Sequence, residues 1–306
     1  IITAAVSTTF AVFGKKGARL ESEIYNFTPK FQNATKNNIL SGITFFAWIS
    51  ILWRRLYDID FTTYWRRIVF ITFMSILNSM IGCLEHFWYG SAIQRQRLHE
   101  EPVFILGHPR TGTTHLFNIL SLDRKFAYTN TFQAGFPSGF LLLERYKSYL
   151  NDVVDSKRPM DNMALTLDSP QEDELGVNVL SHGTSYYQPI VFMKNEKDYR
   201  KYINFENGAK SSEKRNWLDS FLYLMKKVTL KHTRDWDGTE EPSPLLIKSP
   251  VHTGRVKLLL QLFPKAKFIY IHRNPYDVFL SAARMADTAY WYSYLNTPTN
   301  KEVIEF

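Results

Sequence analysis

The chain has 306 residues, 45% of them apolar, with 23 Phe, 17 Tyr and 7 Trp; this excludes a disordered chain and supplies enough apolar surface for a sizeable core. A net charge of +8 and a pI near 9.3 favour anionic ligands or a membrane surface, while no nucleic-acid motif accompanies the charge. The single cysteine, Cys83, excludes an intramolecular disulfide framework and a cysteine-rich zinc site, and is consistent with a reducing compartment.

Ile1 to Phe13 is mostly apolar and precedes Lys15, Lys16 and Arg19, a pattern that suits the remnant of an anchor or signal as well as a buried strand. Residues 1–100 read as an apolar helical segment. Ile39 to Trp53 is uncharged for 15 residues and Ile68 to Leu84 for 17, both short of the roughly 20 residues that a spanning helix needs. Between them lie Arg54, Arg55, Arg66 and Arg67, with Trp48, Trp53, Tyr57, Tyr64 and Trp65 close by. Basic and aromatic residues beside apolar helices suit a membrane interface; they equally suit a helical layer packed on a catalytic domain with its arginines solvated. Two sequons, Asn26-Phe27-Thr28 and Asn33-Ala34-Thr35, matter only in a lumenal protein. Localisation is thus left between the cytoplasm, a membrane surface and the Golgi lumen.

The chemistry starts at Val103–Leu106, a short apolar run that reads as a buried strand, followed by Gly107-His108-Pro109-Arg110-Thr111-Gly112 and a helix over 113–120. Strand, glycine loop and helix N-terminus together form an anion cradle, because backbone N–H groups and the helix dipole converge there. The spacing of Gly107 and Gly112 is that of a phosphate-binding loop, but Thr113 stands where a nucleotide triphosphatase has its lysine. Arg110 is the nearest cation, so the loop suits a smaller anion neutralised by one arginine. A purely structural glycine turn is the alternative.

Downstream, Phe140 to Leu150 reads as a helix, and Ser169-Pro170-Gln171-Glu172-Asp173-Glu174 as a helix start, where carboxylates meet the positive end of the dipole. One of those acids, Glu172 or Asp173, could instead face an active site. Helices are expected over 196–207 and 212–232, and a surface loop from Asp235 to Pro244. A second buried strand, 244–247, delivers Lys248-Ser249-Pro250-Val251-His252 at its C-terminal end, the sheet edge at which open α/β folds bind ligands. A helix through Val256 and Leu262, a third strand over 266–271 and a helix opened by Pro275 complete an α/β alternation. That order means a parallel sheet flanked by helices.

Pro109-Arg110-Thr111-Gly112-Thr113-Thr114 resembles the 5′-phosphosulfate loop of sulfotransferases that use 3′-phosphoadenosine 5′-phosphosulfate (PAPS), and Arg273-Asn274-Pro275 with Ser281 eight residues after the arginine resembles their 3′-phosphate motif. The two stand about 160 residues apart in the family's order, and the resemblance covers roughly residues 101–285, not the first 100. It implies a P-loop-like sulfotransferase fold over 101–306, lacking its C-terminal end, and PAPS as donor with no metal. Arg110, Thr111, Gly112, Thr113 and Thr114 would hold the phosphosulfate, Arg273 and Ser281 the 3′-phosphate, and Lys248 would bridge the sulfate and the leaving oxygen. The general base stays open. His252 follows Lys248 with three residues between, where cytosolic sulfotransferases have Lys-x-His; Glu172 corresponds to the glutamate of other branches, with Asp173, His115 and His182 as further candidates. His108 and His272 read as structural. The aromatic content points to a hydrophobic alcohol, phenol or lipid as acceptor, with an amine as a variant; the oligomeric state is unknown. A small-molecule kinase and a non-catalytic membrane scaffold remain the rival readings.

Overall fold

A computed structural model describes residues 27–153, 155–158, 161–236 and 241–306; the apolar stretch Ile1–Phe13 and Asn26 of the first sequon lie outside them. Two helices come first, α1 (Phe45–Arg55) and α2 (Phe61–Arg95). At about 1.5 Å per residue α2 is roughly 50 Å long. The 17-residue apolar run is therefore only the middle of a 35-residue helix, which by length and composition is able to cross a membrane. The sequence pattern underestimated it because Arg66, Arg67 and Glu85, which bound the uncharged run, sit inside the helix. Tyr64 departs from helical geometry (φ −111°, ψ 15°), so α2 bends in its first turn.

The hairpin of α1 and α2 is clipped by polar bonds rather than by apolar contact alone. Trp48 Nε1 donates to Thr72 Oγ1 at 2.8 Å, Phe45 N to Ser79 Oγ at 2.8 Å, and Asn78 Nδ2 to the carbonyls of Ser41 and Ile43 at 2.8 and 3.1 Å. Arg67 is fully buried and donates to four carbonyls, those of Ala34, Phe31, Trp291 and Tyr294. It thereby fastens α2 to a loop near the chain's end. Burial, only partly offset by Tyr64, brings the Arg67 guanidinium down to about 10.

Then β1 (Val103–Leu106), α3 (Thr113–Leu120), α4 (Thr131–Gly135) and α5 (Phe140–Leu143) follow, the last running into a 3₁₀ stretch Glu144–Val153 instead of a helix to Leu150. α6 (Asp173–Leu180) precedes α7 (Glu196–Tyr199), which tightens into a 3₁₀ turn, Arg200–Tyr202, where a helix through 207 was expected. α8 (Ser211–Trp236) extends past 232 into the stretch read as a loop. β2 (Leu246–Lys248), α9 (Val256–Leu262), β3 (Lys267–Tyr270), α10 (Pro275–Ala289) and α11 (Asn300–Glu305) complete the order.

The three strands form one parallel sheet in the order β2-β1-β3. Register places Ile105 opposite both Lys248 and Ile269, and Leu106 opposite Tyr270. All three strands thus end at one edge, where Gly107, Ser249 and Ile271 leave the sheet. β1 is central and apolar, while β3 is largely exposed at the rim. One apolar core runs from Leu40, Trp48 and Ile71 through Phe104, Phe132 and Phe140 to Trp217 and Tyr294, joining the N-terminal helices to the sheet layer.

Candidate active site

The cradle after β1 is shaped by its glycines. Gly107 has φ +151°, and a Cβ there would lie 2.6 Å from the Ile271 carbonyl and 2.8 Å from Thr111 Oγ1. Only glycine lets β1 and β3 close this tightly around the loop. Gly107 N donates to Thr253 Oγ1 at 3.0 Å, and Thr111 Oγ1 to the His108 carbonyl at 2.8 Å. Gly112, with φ +101° and open space around it, is the N-cap of α3, and no side chain caps the helix or places an acid in its first turn. The first amides of α3 are thus left facing the loop, which is what an anion site needs. Thr113 is buried; Thr111 and Thr114 are half-buried.

Arg110 takes a left-handed backbone conformation (φ +72°) and turns its side chain inward. Its Nε donates to Ser281 Oγ at 3.0 Å and its Nη1 to Asp161 Oδ2 at 3.0 Å, with Arg158 3.7 Å from the same carboxylate. The structure therefore brings Ser281 of α10 against the loop, 171 residues away in sequence. Arg273 lies at the end of β3, half-exposed, with only the Asp277 carboxylate at 3.8 Å as an ionic partner among the described residues. The two members of the second motif thus share one edge, but Ser281 bonds to Arg110 rather than to Arg273.

At the other strand end Lys248, 3% exposed, reaches Glu172 Oε1 at 2.5 Å. Tyr187 donates its hydroxyl to Glu172 Oε2. Burial pushes this carboxyl up, but Lys248, Tyr187 and Arg158 together bring it below the ordinary glutamate range. Burial, then Glu172, raises the Tyr187 phenol well above normal. Tyr290 is raised likewise by burial and by Glu172, with Arg110 acting the other way, so this phenol feels both charged centres.

Glu172, Asp173 and Glu174 diverge. Asp173 Oδ2 lies 2.9 Å from His252 Nε2, and its Oδ1 accepts from Ser249 Oγ at 2.7 Å. Burial works to raise Asp173, yet His252 and Ser249 hold it below its usual value. Glu174 accepts from Arg255 Nη1 at 2.6 Å and Nη2 at 3.1 Å, from Ser185 Oγ at 2.6 Å and from Trp217 Nε1 at 3.2 Å. His252 is itself fully buried, edge-on to Phe104, Trp217 and Phe221. Asp173, Glu174 and His252 could in principle ligate a cation, but their facing oxygens are already engaged by Ser249 and the Arg255 guanidinium. His108, His115, His182 and His272 are all exposed. Sequence reasoning missed Asp161, Tyr187, Arg255 and Tyr290. None carries a local motif; each matters only because folding sets it beside a motif residue.

Residues 102–304 match the profile of the Sulfotransferase family. Two curated relatives, the omega-hydroxy-beta-dihydromenaquinone-9 sulfotransferases Stf3 of Mycobacterium bovis and Mycobacterium tuberculosis, are each 32% identical over 258 residues, covering 84% of this chain and 63% of theirs. The chain thus spans 63% of the length of the curated relatives it matches. Among solved structures, sulfotransferase STF9 of Mycobacterium avium aligns at 18% identity and TM-score 0.48 over 73% of this chain and 56% of its own. STF1 of Mycobacterium tuberculosis aligns at 11% and 0.47 over 79% and 68%. Mycobacterial relatives give the Golgi-lumen alternative no support.

Proposed function

This chain belongs to the sulfotransferase family, and from that premise we propose that it transfers a sulfuryl group from PAPS to a hydroxyl of a hydrophobic, lipid-like acceptor. The observation that carries the reading is the meeting of two distant motifs: the Arg110 guanidinium in the cradle bonded to Ser281 of the second motif, beside an uncapped helix N-terminus. A lipid acceptor is favoured by the menaquinone-type substrate in the relatives' name and by the aromatic content of the chain.

In this reading two of the site's cations are held by part-buried carboxylates until the donor arrives, Arg110 by Asp161 and Lys248 by Glu172. A buried cation needs a counter-charge, and the donor's phosphosulfate supplies a better one. Arg110 and the α3 amides take the phosphosulfate oxygens, and Arg273 and Ser281 the 3′-phosphate. Lys248 turns from Glu172 to the oxygen that leaves with the phosphate, where negative charge develops. Glu172, ionised at neutral pH, is released to accept the acceptor's O–H proton. The acceptor oxygen bonds to sulfur as the bond from sulfur to phosphate oxygen breaks, and 3′-phosphoadenosine 5′-phosphate departs. We assign the base to Glu172 over His252 because His252 lies inside the core, bonded to Asp173.

The test is transfer of labelled sulfate from PAPS to a panel of long-chain hydroxylated quinols and alcohols. Glu172→Gln should lower kcat by about 10²–10⁴-fold with little change in the KM for PAPS. Transfer at the wild-type rate by Glu172→Gln would remove the proposed base, and no transfer to any member of the panel would remove the acceptor class.

A further inference from the structure

We infer that the outward face of α1 and α2 docks sideways on an anionic lipid surface, with α2 lying along the interface rather than crossing the bilayer. The inference does not depend on the donor chemistry proposed above. α2 is amphipathic in an inverted sense. Its inward stripe carries Arg67, Ser75, Asn78 and Glu85, all buried, and its outward stripe is apolar. Val69, Phe73, Ile76, Met80, Leu84 and Phe87 are each between 46% and 82% exposed. α1 continues this surface with Phe46 and Trp53, about 80% exposed. A contiguous apolar face of this size is an interaction site rather than a solvated one.

Two observations choose lipid as the occupant. The first is charge. Arg54, Arg66, Arg95 and Arg97 on or beside the hairpin are exposed, whereas its acids are spent on internal bonds. Asp58 pairs with Arg55, Asp60 accepts from Thr297 N, and Glu85 is sealed against Lys227. Basic residues beside exposed tryptophans suit anionic headgroups. The second is attachment. Arg67 bonds near the start of α2, Glu85 accepts from Leu141 N in its second half, and the Gln94 carbonyl accepts from Lys226 at its end. One domain therefore holds the helix along its length, and crossing a bilayer would strip Arg67 and Glu85 of their partners in hydrocarbon.

The hairpin is also bonded to the two segments that carry the site's phenols, Tyr187 and Tyr290. Arg54 at the end of α1 donates to the His182 carbonyl, in the loop that carries Tyr187 to Glu172. Arg67 holds the Trp291 and Tyr294 carbonyls, next to Tyr290.

Cys83, the one cysteine of the chain, lies exposed on the outward face and accepts a nitroxide without further mutation. The full chain is mixed with vesicles of phosphatidylcholine, alone or with phosphatidylglycerol. It should sediment at least about tenfold more strongly with the anionic vesicles. The label should then read a depth just below the headgroups. The double variant Phe73→Ser/Phe87→Ser, at exposed positions, should keep the wild-type melting curve and lose about tenfold or more of the vesicle binding. Absence of vesicle binding, or binding unchanged in the double variant, would overturn the inference. A label at the bilayer midplane would show a crossing helix instead. A lipid-free dimer that the double variant dissociates would assign the face to a second copy.

Discussion

Glu172, Asp173 and Glu174 are neighbours in sequence, yet each reaches a different partner: Lys248, His252 and Arg255. Only Glu172 faces the cradle side; the other two lock β2's exit and α9 to α6. This division has a pH signature. Glu172 and Asp173 are both held below their ordinary values in the folded chain, so their contribution is present above about pH 4 and is lost as the pH falls through the folded values. Urea midpoints should therefore hold near neutrality and drop from about pH 4 downward; a midpoint flat to pH 3 would contradict the buried pairs. His252→Gln should cost about 1–3 kcal/mol in urea unfolding while the folded chain keeps the pH–rate profile of the proposed transfer. Lost transfer at unchanged stability would return His252 to the chemistry. The acids themselves were legible in the sequence as a cluster, as were Arg110 and Lys248. Which acid faces the site was not, because a helix start needs only their charge, whereas their sorting depends on Ser249, His252 and Arg255, about 80 residues downstream.

Elements with a strong local pattern came through closely. β1 and α3 occupy 103–106 and 113–120 as the apolar run and the glycine spacing predict. Departures occur where side chains answer to distant partners. Glu144, expected mid-helix, is buried on Asn130 Nδ2 at 2.7 Å, and the chain there runs as 3₁₀. Tyr199, Tyr202 and Phe205, three residues apart, contact ring to ring in series, a spacing that suits 3₁₀ turns better than an α-helix. Two predictions belong to this scale. Gly107→Ala should weaken donor binding more than about tenfold, because its Cβ would meet the Ile271 carbonyl at 2.6 Å; wild-type affinity by calorimetry would contradict the tight cradle. Arg67→Met should lower unfolding free energy by about 3 kcal/mol, since buried carbonyls of two loops lose their common donor. A change within 0.5 kcal/mol, roughly the scatter of an ordinary surface substitution, would mean that the Arg67 bonds do not hold α2 to the loops.

At the scale of the molecule, a parallel sheet gathers the ends of three strands at one edge, and Arg110, Lys248 and Arg273 stand there, each beside a carboxylate. The alternation of strands and helices was readable because each strand is a short, largely apolar run that delivers Gly107, Lys248 or His272-Arg273 at its end. The length of α2 and its inverted face were not readable, since the partners of Arg67 and Glu85 lie in other parts of the chain. This edge is the proposed site for a 3′,5′-bisphosphorylated adenosine. Calorimetry of 3′-phosphoadenosine 5′-phosphate against ADP, in chelator, with the intact chain and with Arg273→Ala, tests it most directly. The bisphosphate should bind without metal at least about tenfold more tightly than ADP, with that preference lost in Arg273→Ala. Equal affinity for the two nucleotides in the intact chain, or no binding of either, would contradict it.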